Sequence, residues 1–200
     1  MAFRDLLEGV SRDTVPVSVD LEMRDRTSAT GVMGVVYSDV IEAPGHSAAL
    51  DVLVRDRLCE VFSVSPGELI DVLAWGMANP EHPVLVDPSE AEVFQCRQEP
   101  VDLYGIPIPR HYQEDVGRYQ SASVIIAEYG GIRNMSYHRQ LLRDETHCVA
   151  RFVPRHLRTM YEMARANGDE VPIAVVNGAD ATVLLAAAMS FNENLDELTV

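Results

Sequence analysis

Tyr119-Gln120-Ser121-Ala122-Ser123-Val124-Ile125-Ile126-Ala127-Glu128-Tyr129-Gly130-Gly131-Ile132-Arg133-Asn134-Met135-Ser136-Tyr137-His138-Arg139-Gln140-Leu141-Leu142 is the stretch whose reading decides the fold. Residues 119–127 are rich in β-branched and aromatic side chains, and Gly130-Gly131 separates them from residues 134–142, so the stretch reads as strand, turn, strand. Another strand is expected over 148–153, then a helix beginning at Pro154. That helix places Leu157, Met160, Tyr161 and Ala164 on one face and stops at Asn167-Gly168. Residues 173–176 read as a buried strand, and Asp180 as the cap of an almost wholly apolar helix running to Met189.

Toward the N-terminus, Leu103-Tyr104-Gly105-Ile106-Pro107-Ile108-Pro109 cannot be regular structure, because its two prolines forbid both helix and ladder pairing. It is read as the boundary between two units, residues 1–105 and 106–200. In the first unit a short helix is expected over 3–9. Strands are expected over 35–40 and 48–54, separated by Pro44-Gly45, and a helical turn or two over 58–62. The clearest helix is 66–78: Ser65 can cap it, Glu68 can return the capping bond, and Pro66 suits the first turn. Leu69, Val72, Leu73 and Met77 share a face of it, Trp75 is expected to pack, and Asn79-Pro80 ends it. Short strands are expected at 84–86 and 93–96. The fold class is α/β (α+β).

Composition narrows the function. The chain has 200 residues, 47 % of them hydrophobic, and a formal net charge of −15. That charge argues against nucleic acid and anionic membrane surfaces, since phosphate binding needs clustered cations. No apolar run nears the roughly 20 residues that span a bilayer, and the N-terminus lacks a secretion-signal pattern, so a cytoplasmic protein is expected. Cys59, Cys96 and Cys148 show no zinc or disulfide spacing. All 16 basic residues are Arg, which excludes a Schiff-base or P-loop lysine within this chain.

The densest polar cluster is Arg133-Asn134-Met135-Ser136-Tyr137-His138-Arg139, followed by Phe152-Val153-Pro154-Arg155-His156 and by Leu195-Asp196-Glu197. By spacing alone each has an ordinary explanation: Asn134 as a turn residue, His138 and Arg139 on a solvated strand face, His156 and Glu197 pointing at water. His46, His82, His111 and His147 read as surface or hydrogen-bonding residues, and Cys148 as a small buried hydrophobe.

Taken in order, these motifs resemble the UbiD-like family of prenylated-FMN decarboxylases. So do Pro172-Ile173-Ala174-Val175-Val176-Asn177-Gly178-Ala179, the apolar run 184–189, and, further upstream, Asp102 to Pro109 and Ser63-Val64-Ser65-Pro66-Gly67-Glu68-Leu69. The resemblance, somewhat closer to the archaeal anhydromevalonate-phosphate decarboxylases, implies an N-terminal α/β domain followed by a partial split β-barrel that binds flavin. It implies prenylated FMN, a divalent metal (Mn2+ or another cation) and K+ at the cofactor phosphate. The substrates it implies are unsaturated or aromatic carboxylic acids, such as anhydromevalonate phosphate or a 4-hydroxybenzoate.

Residue by residue, Asn134, His156 and Glu197 match the family's metal-holding side chains. One amide oxygen, one imidazole and one carboxylate suit a borderline-hard ion. Ser121, Ser136, Tyr137, His138, Arg139, Arg155 and the segment Ala187-Ala188-Met189-Ser190 match positions around the cofactor, although the family often has Pro where Ser190 stands. Arg139 matches the arginine that takes the substrate carboxylate, for which a guanidinium offers a planar two-point fit. Strict alternation would put Asn134 and Arg139 on opposite faces, so a bulge or strong twist is expected between them. The family's acidic residues beyond the metal site have no counterpart here. The expectation is therefore a carboxy-lyase that needs a further C-terminal segment or a second subunit, in a homo- or hetero-oligomer. The alternative is a non-catalytic flavin-binding or stabilising subunit.

Overall fold

The computed structural model describes residues 3–31, 33–189 and 195–200. It is a mixed α/β fold in which the strands among the described residues form three three-stranded sheets and no closed barrel. In the N-terminal part, strand β1 (Ser11–Asp13) pairs parallel with β2 (Val35–Tyr37), which pairs antiparallel with β3 (Ala48–Leu50). Helix α1 (Glu22–Thr30) connects β1 and β2, and its Met23 is fully buried beside Val17, Val35, Tyr37 and Val40. Neither β1 nor α1 is legible from periodicity: β1 is three polar residues, and α1 has no apolar stripe.

Helices α2 (Arg55–Phe62) and α3 (Leu69–Ala78) follow. The capping bond expected at α3 forms, with the Ser65 N–H donating to Glu68 at 2.8 Å, but Pro66 to Glu68 make a turn ahead of the helix proper. Trp75 does not pack: it is 64 % exposed. The strands expected at 84–86 and 93–96 do not form either; 84–86 is irregular and Glu92–Phe94 is a short 3-10 turn. Valines alone do not make a strand, because no neighbouring backbone lies alongside to complete a ladder.

The Pro-rich segment is irregular as expected. Its carbonyls are gathered by one side chain, Arg118, which donates to the backbone oxygens of Ile108 at 2.7 Å, Ile106 at 2.5 Å and Tyr104 at 3.2 Å. This satisfies backbone acceptors that no sheet serves.

The expected long strands are each divided. Residues 119–127 become β4 (Tyr119–Gln120) and β5 (Val124–Tyr129). Residues 134–142 become β6 (Ile132–Tyr137) and β7 (Gln140–Leu142). β5 and β6 form a hairpin closed by Gly130 and Gly131, whose φ values of 63° and 78° are those a two-residue turn of this hand requires. β6 then leaves its sheet at His138-Arg139, and β7 enters another, paired with β4 and with β8 (Cys148–Ala150). The expected bulge is thus a change of sheet.

In the sheet of order β6-β5-β9, the β5–β6 hairpin is covered on both faces. β9 (Ile173–Val176) is an edge of that sheet, and contrary to expectation three of its four residues are exposed, since only β5 flanks it. Val124, Met135 and Tyr137 face α5 (Ala181–Ala188), whose cap is the expected Asp180, and face also the Phe3–Leu7 turn and α2. Ile125 and Ala127 face α4 (His156–Asn167), against Leu157 and Met160. One apolar cluster therefore joins Leu6, Leu58 and Leu69 from the first part of the chain to Val124, Met135 and Leu184 from the second. Leu6 is fully buried in it, so Leu6→Ala is expected to lower the unfolding free energy by about 2–5 kcal/mol. A urea-unfolding midpoint unchanged from wild type would show that the N-terminal turn is not part of the same cooperative core.

Candidate metal and cofactor site

The hairpin register sets Asn134 opposite Ala127 and Ser136 opposite Ile125, so both polar side chains share the face that α4 covers. Asn134 is 4 % exposed. His156 is the first residue of α4 and arrives over this face, and Glu197, 2 % exposed, arrives from the short turn Glu197–Thr199. Asn134 Nδ2 donates to Glu197 Oε1 at 2.8 Å and lies 3.2 Å from His156 Nδ1, while His156 Nδ1 and Glu197 Oε1 are 3.5 Å apart. The second carboxylate oxygen accepts the Met135 N–H at 2.9 Å along the free edge of β6. Residues 22 and 41 positions apart in sequence therefore meet in one cluster.

Its dimensions suit a shared cation. Two ligands at right angles, each about 2.2 Å from an ion, lie about 3 Å from one another, which is the spacing of these three heads. An amide belongs to the trio; among the described residues no three His, Cys, Asp or Glu side chains gather in this way. Asp196, beside Glu197, forms an ion pair with Arg133 and accepts the Leu198 N–H, clamping the turn on which Glu197 rides. That clamp is not visible in the spacing, since Arg133 and Asp196 are 63 positions apart.

The polar row continues. Ser136 Oγ lies 2.9 Å from Asn134 Oδ1 and 3.0 Å from His138 Nε2, and His138 packs edge-on against Phe152. Burial pulls the His138 pKa down, opposed by a hydrogen bond to the Arg151 backbone. Arg155 is exposed and occupies the N-cap position of α4, next to His156.

Other expected site residues lie elsewhere. Tyr137 points to the opposite face, where its hydroxyl donates to the Leu184 carbonyl at 3.0 Å, and burial pushes its pKa up. With Tyr119 and Ser121 it lines a cavity of about 1100 Å3 whose other wall is Leu50 to Val52 and Ile106 to Pro109. Arg139 sits at the change of sheet, its side chain 62 % exposed, 3.5 Å from Asp115 and 4.4 Å above the Tyr119 ring. Ala187 and Ala188 end α5, Met189 follows, and Ser190 lies outside the described residues. Cys148 accepts from Gln120, and burial raises its pKa, as befits an inert thiol. No helix among the described residues is long and apolar enough to cross a membrane.

The family model for the 3-octaprenyl-4-hydroxybenzoate carboxy-lyase Rift-related domain, UbiD, matches residues 84–200, and the chain belongs to that family. Among characterised relatives it is similar to an anhydromevalonate phosphate decarboxylase of Methanosarcina mazei, 33 % identical over 67 % of this chain and 31 % of that protein. A second, from Aeropyrum pernix, is 42 % identical over 46 % of this chain and 21 % of that protein. The UbiD-class enzyme HmfF of Pelotomaculum thermopropionicum, solved in an evolved dimeric form with prFMN, superposes with a TM-score of 0.91 at 27 % identity, covering 99 % of this chain and 49 % of that one. The vanillic acid decarboxylase of Sedimentibacter hydroxybenzoicus shares the fold, with a TM-score of 0.89 at 17 % identity over 98 % of this chain and 46 % of its own. The chain thus spans about a third or less of those relatives and about half of the solved structures.

His138 supplies a pH test. Its folded pKa is depressed, so the unfolded chain takes up the proton first, and stability is full above about pH 6.5 and declines as pH falls toward the folded value. Urea unfolding at pH 7.5 and 5.5 is expected to show lower stability at the acid pH, by less in His138→Phe than in wild type. Equal pH dependence in the two would show that His138 does not titrate differently on folding.

Proposed function

We propose that this chain forms the metal- and cofactor-holding part of a prenylated-FMN-dependent decarboxylase. Its substrate would be an unsaturated carboxylic acid, and the identity to archaeal relatives favours anhydromevalonate phosphate over a 4-hydroxybenzoate. The observation that carries the reading is the meeting of Asn134, His156 and Glu197 in one buried cluster. These three would hold Mn2+ or another divalent ion, with K+ beside it, at the cofactor phosphate. In a chain without lysine, such cations, Arg155 and the N-terminus of α4 are what can balance a phosphate here.

When bound, prenylated FMN supplies the electron sink into which the bond to the departing carboxylate releases its electrons. Ser136, His138 and Arg155 would lie beside the phosphate end. Ser121, Tyr137 and the segment from Ala187 to Met189 would border the rest of the cofactor. Arg139 would receive the substrate carboxylate; its long 3.5 Å contact with Asp115 and its exposure leave its guanidinium available, while Tyr119 beneath limits where it can swing. Work in the cytoplasm and assembly as a homo- or hetero-oligomer, with a second polypeptide contributing to the site, belong to the same reading.

The test has two parts. Asn134→Ala, His156→Ala and Glu197→Ala are each expected to weaken Mn2+ binding at least about 10-fold, read by the resonance of free manganese in a titration. In the holoenzyme purified from its own source, Arg139→Lys is expected to lower kcat/KM for CO2 release by about 10- to 100-fold, since an ammonium cannot reproduce the two-point contact. Absence of Mn2+ binding by the wild type, or a fully active Arg139→Lys enzyme, would overturn the corresponding assignment.

A further inference from the structure

We propose that Ser136 and His138 are positioning residues that decide which end of the Asn134 amide faces His156 and Glu197. This rests on the metal reading above and adds a role for two side chains outside the ligand trio. Asn134 Nδ2 donates to Glu197 at 2.8 Å, and Asn134 Oδ1 accepts from Ser136 Oγ at 2.9 Å. The Ser136 hydroxyl has a single proton, however, and His138 Nε2 is also within 3.0 Å of it. His138 is 8 % exposed, and its hydrogen bond to the Arg151 backbone favours a proton on the ring. A neutral ring carries one N–H; spent on Arg151, it leaves Nε2 as a bare acceptor. Two acceptors, Asn134 Oδ1 and His138 Nε2, then compete for one proton.

Turning the Asn134 amide by half a turn removes the conflict. Nδ2 then donates to Ser136 Oγ, and the Ser136 hydroxyl donates to His138 Nε2, so each donor meets one acceptor. The same turn brings Oδ1 against Glu197 Oε1 and His156 Nδ1; with Nδ1 unprotonated, as a metal-binding nitrogen must be, these three electron-rich atoms repel one another unless a cation sits among them. The amide orientation that suits the cation is therefore the one His138 favours, by drawing the Ser136 proton away from Asn134. Without a cation, Nδ2 turns back to Glu197 and His138 Nε2 loses its donor. When the ion binds, the Asn134–Ser136 link reverses its polarity and the Ser136–His138 link gains its donor.

The experiment is a Mn2+ titration of the full chain, following free manganese by electron paramagnetic resonance, paired with urea unfolding in the absence of metal. His138→Phe keeps the ring contact with Phe152 but offers no acceptor, and is expected to weaken Mn2+ binding about 10- to 100-fold without lowering metal-free stability. His138→Gln, whose side-chain oxygen can accept from Ser136, is expected to restore most of the affinity. Ser136→Ala, which breaks both links, should match His138→Phe and serves if that variant does not fold. Wild-type affinity in His138→Phe, or in Ser136→Ala where it stands in, overturns the proposal. So does a loss of metal-free stability with unchanged affinity, which is what a packing role gives. A wild-type chain that binds no Mn2+ removes the metal reading and this proposal together, so the two failures are distinct.

Discussion

Glu197 is 2 % exposed, and a carboxylate so placed costs several kcal/mol unless it is fully hydrogen-bonded. Its two oxygens find the Met135 N–H and the Asn134 amide, both on β6. β6 is the outer strand of its sheet, and the carboxylate occupies an edge donor that a longer sheet would have paired. The segment 195–200 is thereby laid along β6, with Asp196 held by Arg133 one step away. His156 enters the same cluster from α4, so a strand edge, a helix start and the 195–200 segment are tied at one point.

That tie works because the β5–β6 hairpin beneath it is covered on both faces. Apolar residues on one side meet α5 and the Phe3–Leu7 turn, and those on the other meet α4. Asn134, Ser136 and His138 are a polar row on the α4 side, on the same face as the packing of Ile125 and Ala127 against Leu157 and Met160. In such surroundings each hydrogen bond is stronger and each missing one is costlier than in water. The orientation of a single amide therefore becomes a consequential variable, where on an open strand it would be averaged by solvent.

The change of sheet at His138-Arg139 separates two tasks. Before it, the chain holds the buried polar cluster; after it, Arg139 is presented at the surface over Tyr119, a neighbour of the cavity between the first and second parts of the chain. An unbroken strand would have fixed the two side chains on opposite faces of one sheet, since they differ by an odd number of residues. Leaving one ladder for another frees the second from the first.

By itself the sequence determined the elements whose signals are local. The Gly130-Gly131 turn, the Asp180 cap, the end of α4 at Gly168 and the irregular Pro107–Pro109 segment all follow from backbone chemistry within a few residues. The order of motifs from Arg133 to Glu197 also carried the family, as the match over residues 84–200 shows. Tertiary structure alone decided what depends on distant partners. Trp75 and residues 84–86 are apolar in a pattern that suggests burial, yet they are exposed, because burial needs a facing surface that no local pattern supplies. β9 is apolar throughout and still lies at an edge. β1 and α1 exist through pairing with β2 and packing against Tyr37, although β1 has no apolar alternation and α1 no apolar stripe of its own. The candidate site belongs to this second kind. Its residue types were legible one by one, but their approach to within 2.8 to 3.5 Å of one another is set by hairpin register, by the entry of α4 and by a buried carboxylate bonded across 63 residues.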